Sequence, residues 1–74
     1  MADTYNGWAN YETWNVSLYI NNEVKLYDIA KDCDGYADFL FKSHRLRGVT
    51  TPDGVLWHSS KLNWDELNGM IRDL

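Results

Sequence analysis

The feature that most limits the fold is the spacing of helix-start and helix-stop residues. Asn10, Asn21-Asn22, Asp34-Gly35, Gly48 and Asn63 cut the chain into short pieces. An Asn side chain at a helix start accepts from a backbone N–H that has no partner within the helix. A Gly just past a helix end supplies the left-handed conformation common there. Punctuation of this kind predicts a mainly α protein, a compact bundle of about four short helices. With 74 residues, a single domain over 1–74 is expected. A chain this short is marginal on one core, and the lone Cys33 excludes an intrachain disulfide. The core must then come from large side chains. Four Trp, five Tyr and two Phe supply them.

Asn10 caps a first helix from Tyr11 to Asn21, with Glu12 in the first turn where the helix dipole favours negative charge. Tyr11, Trp14 and Leu18 share one face at i, i+3, i+7 and are expected to point inward. Val16, Tyr19 and Ile20 widen that face. Asn22 is placed to cap a second helix, whose Leu26, Ile29, Ala30 and Cys33 form a buried stripe. Asp34-Gly35 ends it, with Gly35 as the left-handed residue. A third helix, Tyr36 to Leu46, turns Tyr36, Phe39, Leu40 and Ser43 inward. Lys42, His44, Arg45 and Arg47 load its end, and Gly48 closes it.

Pro52-Asp53-Gly54 reads as a tight turn between Val49-Thr50-Thr51 and Val55-Leu56-Trp57. Residues 49–58 are therefore either a short β-hairpin or an extended loop. Asn63 caps the last helix, with Glu66 three residues on as in a capping box, and Leu62 and Leu67 as a hydrophobic staple. Its apolar face is Trp64, Leu67, Ile71 and Leu74. Gly69 weakens this helix relative to Ala and would allow close packing. Ahead of the first helix, Asn6-Gly7 signals a turn, and Tyr5 and Trp8 are expected to fold back over the bundle as a lid.

Chemistry has little to work with. Cys33, His44 and His58 are spaced too far apart for a finger-like metal site, so no metal and no cofactor are expected. No motif surrounds Cys33 as a nucleophile, the serines lack an elbow context, and no glycine-rich phosphate loop is present. The protein is expected not to be an enzyme. Lys42, Arg45 and Arg47 form a small basic turn over 42–47, but the net charge of −4 argues against nucleic acid. No apolar run reaches the length of a membrane span. No basic region with an apolar signal core opens the sequence, so a cytoplasmic location without a membrane is expected.

Protein binding remains. Trp, Tyr and Arg dominate interface hot spots, and this chain holds more Trp and Tyr than four short helices can bury. Trp57, the Lys42/Arg45/Arg47 turn and the acidic group with Asp34 and Asp38 are the expected partner-binding residues. A homo-oligomer is compatible with the same surfaces.

The stretch Asn6-Gly7-Trp8-Ala9-Asn10-Tyr11-Glu12-Thr13-Trp14-Asn15-Val16 resembles a small uncharacterised family with an N-G-W-x-N-Y-E-T-W-N-V signature. Thr51-Pro52-Asp53-Gly54-Val55 and Trp64-Asp65-Glu66-Leu67 are similar to that family's second half. The resemblance implies a setting in phages, plasmids and some bacteria, with no catalytic residues. It points to a non-enzymatic inhibitor or modulator that binds a host or anti-phage defence protein, such as a CRISPR or nuclease complex. The alternative is a small nucleic-acid-associated regulator using the basic 42–47 turn.

Overall fold

A computed structural model of the protein describes residues 4–43, 46 and 48–74. Among them, four helices run in order: α1 (Tyr11–Asn22), α2 (Val24–Ala30), α3 (Tyr36–Lys42) and α4 (Trp64–Arg72). Helix α1 packs on α2 and α4, and α3 bridges α2 to α4, so the mainly α bundle is realised. The Cα radius of gyration is 11.4 Å, close to the ~11 Å of a folded protein of this length. No helix is long and apolar enough to cross a membrane among the described residues.

The caps at the first and last helices form as the sequence indicates. Asn10 accepts from the Thr13 N–H, and Asn63 from the Glu66 N–H. The middle boundaries differ. Asn22 stays inside α1, where its amide donates to the Leu18 carbonyl, and Glu23 starts α2 with no cap from its side chain. Gly35 is not the left-handed end of α2. With φ of 176° it is extended and precedes α3. Its need for Gly is space: a Cβ there would lie 2.7 Å from Asn68 Oδ1. That oxygen is held in place by the Tyr36 N–H, also at 2.7 Å. Helix α3 ends at Lys42 rather than Leu46. Gly69, by contrast, has nothing near its missing Cβ, so no close packing explains it.

Residues 49–57 form an extended pair with a single antiparallel bridge, Thr50 to Leu56. The Thr51 N–H donates to Val55 O at 2.7 Å, and Gly54, at φ +90°, closes the turn with its N–H on Thr51 O. The segment lies between the two forms expected: its arms pair antiparallel as in a short hairpin, but through a single bridge.

The largest correction concerns α1. Its buried residues are Thr13, Asn15, Val16, Ser17 and Ile20. Tyr11 and Leu18, expected inside, are each 36% exposed, and Trp14 is half-buried. The branched pair Val16 and Ile20 enters the core. Thr13 and Asn15 follow because other segments supply hydrogen-bond partners. Ser17 follows because its hydroxyl donates to the Trp14 carbonyl of the same helix. Without these bonds their burial would be costly.

The core gathers around Tyr36. Its ring stacks on Phe39 at 5.8 Å and meets Trp64 edge-on at 4.9 Å. Its hydroxyl donates to Trp57 O at 2.7 Å, which satisfies the buried polar tip. Val16, Ile20, Leu40, Leu67 and Ile71 close round it. Trp57 also lies here, 3% exposed and packed on Phe39.

Candidate functional site

The buried polar face of α1 locks the N-terminal motif onto the later part of the protein. Asn15 is fully buried and uses both ends of its amide. Its Nδ2 donates to Asp53 Oδ2 at 2.7 Å, and its Oδ1 accepts from Thr51 Oγ1 at 2.6 Å. The Tyr19 hydroxyl donates to the same Asp53 oxygen at 3.1 Å. Two residues earlier, Thr13 Oγ1 donates to Asn10 Oδ1 and accepts from the Asn63 N–H. Asn10 Nδ2 reaches Lys61 O at 2.6 Å.

Glu66 departs from the capping-box arrangement. Its carboxylate reaches across to the Ala9 N–H at 2.7 Å, while Thr13 takes the Asn63 N–H that a capping box would have used. The segment ahead of α1 is thereby anchored. Tyr5 and Trp8 exchange two backbone hydrogen bonds, at 2.7 and 2.8 Å, across the Asn6-Gly7 turn. Asn6 at φ 49° and Gly7 at φ 87° both have the positive φ of a type I′ turn. Trp8 packs against the core, as a lid would, but Tyr5 does not.

Tyr5 instead lies on the outer face of α1. Its ring is 5.3 Å from Tyr11 and 4.9 Å from Trp14, and those two are 5.7 Å apart. Leu18 follows one turn along the same face. The result is an apolar stripe of three mutually packed rings and a Leu, directed away from the core. Tyr5 is 41% exposed. Beside the stripe is a groove of about 360 Å³ lined by Tyr11, Glu12, Asp53, Leu56 and Lys61. The Tyr11 hydroxyl is held above its ordinary pKa by desolvation and then by the Asp53 charge. A second groove of about 400 Å³ lies between α1, α2 and the 46–57 segment, with Tyr19, Leu26, Leu46, Val49, Pro52 and Trp57 in its walls.

The residues expected to bind a partner are dispersed or engaged. Trp57 is a core residue, 3% exposed, with its ring packed against Phe39. Lys42 pairs with Asp38 at 3.2 Å and donates to Asp32 O at 3.1 Å. Asp38 also accepts from the Asp34 N–H, and that bond, with Lys42, holds its carboxyl below the usual range. Asp34 is exposed, and its carbonyl accepts from Arg72 Nε. Arg45 and Arg47 lie outside the described residues, as does His44. Cys33 is buried with its thiol on the Ile29 carbonyl, and burial, then the Asp38 charge, pushes its pKa up. No cluster of three potential metal ligands occurs among the described residues.

Sequence reasoning missed Tyr5, Tyr11 and Leu18 as surface residues. One signal could have found them: Thr13, Val16, Ser17 and Ile20 also share a face at helical spacing, and that face carries the branched residues. A search of curated proteins and one of solved structures found no match. A sequence profile for a family of unknown function, DUF7249, matches residues 1–45, and the chain belongs to that family.

Proposed function

We propose that this member of a family without an assigned activity is a non-enzymatic protein-binding module whose docking surface is the outer stripe of α1. The observation that carries the reading is the cluster of Tyr5, Tyr11 and Trp14, three rings packed on one another outside the core. Large aromatics lose least entropy per contact area when held by neighbours in advance, and they dominate interface energetics. The core does not need these rings, since the opposite face of the same helix already fills it. The buried, protonated Cys33 thiol is a poor nucleophile, which supports binding over catalysis.

The partner is a host or anti-phage defence protein, and the module acts on it as an inhibitor or modulator. Support comes from the setting in phages and plasmids that the resemblance of the stretch over residues 6–16 implies, and from the net charge of −4, which suits a basic target surface. Of the three basic residues offered for nucleic acid, Lys42 is paired with Asp38 and donates to Asp32 O, while Arg45 and Arg47 lie outside the described residues.

Affinity capture from host lysate with the wild type and with a Tyr5→Ser/Leu18→Ser variant tests the reading. A protein retained by the wild type and lost by the variant, at an unchanged urea midpoint, supports it. Equal capture by both places the surface elsewhere. Capture of DNA or RNA that falls steeply with salt replaces it with the nucleic-acid reading.

A further inference from the structure

At four places in the sequence Asn or Asp stands directly before glycine: Asn6-Gly7, Asp34-Gly35, Asp53-Gly54 and Asn68-Gly69. A glycine N–H is unhindered, so its nitrogen can attack the Cγ of the preceding residue and close a five-membered imide. The fold treats the four sites differently. Asn68 sits within α4 with its Oδ1 bound to the Tyr36 N–H, and Gly69 is fixed in the helical ladder. Asp53 is held by Asn15 and Tyr19, and the Gly54 N–H is tied to Thr51 O. Asp34 and Asp53 carry a carboxyl group, which reacts with a backbone nitrogen more slowly than the side-chain amide of Asn does.

Asn6 has none of these restraints. It is exposed at the tip of a two-residue turn near the start of the sequence. Among the described residues, neither its side chain nor the Gly7 N–H has a hydrogen-bond partner. Freeing the turn opens the two Tyr5–Trp8 bonds and lifts the exposed Tyr5 ring off Tyr11 and Trp14, a local opening that leaves the core helices in place.

We propose that Asn6 is a modification site where spontaneous deamidation removes Tyr5 from the outer stripe of α1. The deprotonated Gly7 nitrogen attacks Asn6 Cγ, the new C–N bond forms, and the amide nitrogen Nδ2 leaves as ammonia after taking a proton from water. Water then opens the imide at one of its two carbonyls. Attack at Cγ, which breaks the newly formed bond to the Gly7 nitrogen, leaves an aspartate at position 6 within a normal backbone. Attack at the backbone carbonyl, which breaks the original peptide bond, gives an isoaspartyl link that runs through Cβ and Cγ. The net reaction consumes one water and releases one ammonia.

The two products differ in geometry. Asp tolerates positive φ nearly as Asn does, so the turn survives. The isoaspartyl link adds a backbone atom to a turn whose two-residue length sets the strand register. The Tyr5–Trp8 pairing then fails, and Tyr5 loses its seat on Tyr11 and Trp14. The chemistry stands on its own, and its effect on binding rests on the proposed function.

Incubation of the full-length protein at mildly alkaline pH, followed by peptide mapping that distinguishes aspartate from isoaspartate, tests the site. Conversion at Asn6 is expected before any change at Asn68, Asp34 or Asp53, at a rate that rises with hydroxide. Asn6→Gln should abolish it. The purified isoaspartyl form should lose nuclear Overhauser contacts from the Tyr5 ring to Tyr11 and Trp14. Amide exchange should accelerate at Tyr5 and Trp8 but not at Val16. Prior reaction at Asn68, or an intact Asn6 while a synthetic peptide of residues 4–10 converts in the same incubation, overturns the assignment. Retention of the Tyr5 contacts in the isoaspartyl form overturns the displacement.

Discussion

At the scale of single residues, two tryptophans reverse the roles read from the sequence: Trp14, expected in the core, packs outside it, and Trp57, expected to meet a partner, lies in the core. Trp57 is 3% exposed against Phe39, so Trp57→Ala is expected to cost about 3–5 kcal/mol. Trp14 is half-buried under Tyr5 and Tyr11, so Trp14→Ala should cost clearly less. Urea titrations of both variants decide the matter, and equal midpoints would contradict the assigned roles. Asn15 illustrates a polar residue acting as a core residue. Asn15→Ala leaves the Thr51 hydroxyl, 2% exposed, without its acceptor and the Asp53 carboxylate short of a donor. A loss of about 1–3 kcal/mol is expected for the unsatisfied groups, read from the same titration.

Tyr36 adds a pH dependence. Burial raises its hydroxyl pKa above the ordinary tyrosine value. The unfolded state therefore loses this proton first as pH rises, and stability should fall as pH climbs past about 10. Below that pH the contribution is fully present. Tyr36→Phe should cost about 1 kcal/mol at neutral pH through the lost bond to Trp57 O, and it should flatten the alkaline decline. Melting temperatures across the alkaline range would show a parallel decline in both proteins if Tyr36 were not responsible.

At the scale of elements, the caps and the glycines divide into local and non-local cases. Asn10 and Asn63 cap as read, since the bond spans three residues and depends on local backbone alone. Gly69 is local too. It is exposed, mid-helix and free of neighbours, so Gly69→Ala should stabilise the protein by up to about 1 kcal/mol. Gly35 has the reverse character, since any Cβ collides with the Asn68 amide that fastens α3 to α4. Gly35→Ala should lower the thermal midpoint while Gly69→Ala raises it. The same melting scan checks both, and a shift of like sign would refute the contrast. The boundary between α1 and α2 and the start of α3 escape a local reading because Asn22 and Gly35 have more than one use. Asn22 bonds back within α1, and Gly35 yields space to another helix.

For the whole molecule, bonds between distant segments explain why the two recognisable motifs occur together. Asn15 meets Thr51 and Asp53, and Thr13 meets Asn63. Glu66 meets Ala9, and Asn10 meets Lys61. The N-terminal motif is thus half of an internal joint, with Tyr5, Tyr11 and Trp14 left on its outer side. The Tyr5→Ser/Leu18→Ser pair belongs at this scale: it should change what the protein binds and leave its folding midpoint in place.

Helix count, the capped starts of α1 and α4, and the inward faces of α2 and α3 follow from neighbours within a few residues, so the sequence by itself determined them. Only the tertiary structure decided which side of α1 is buried. Its aromatic and polar faces both have helical spacing, and burial of the polar one depends on partners 36 and 50 residues away. The fates of Trp57 and Tyr5 turned on the same choice. With Asn15 and Thr13 partnered inside, Trp57 lies in the core and the Tyr5–Tyr11–Trp14 cluster faces away from it.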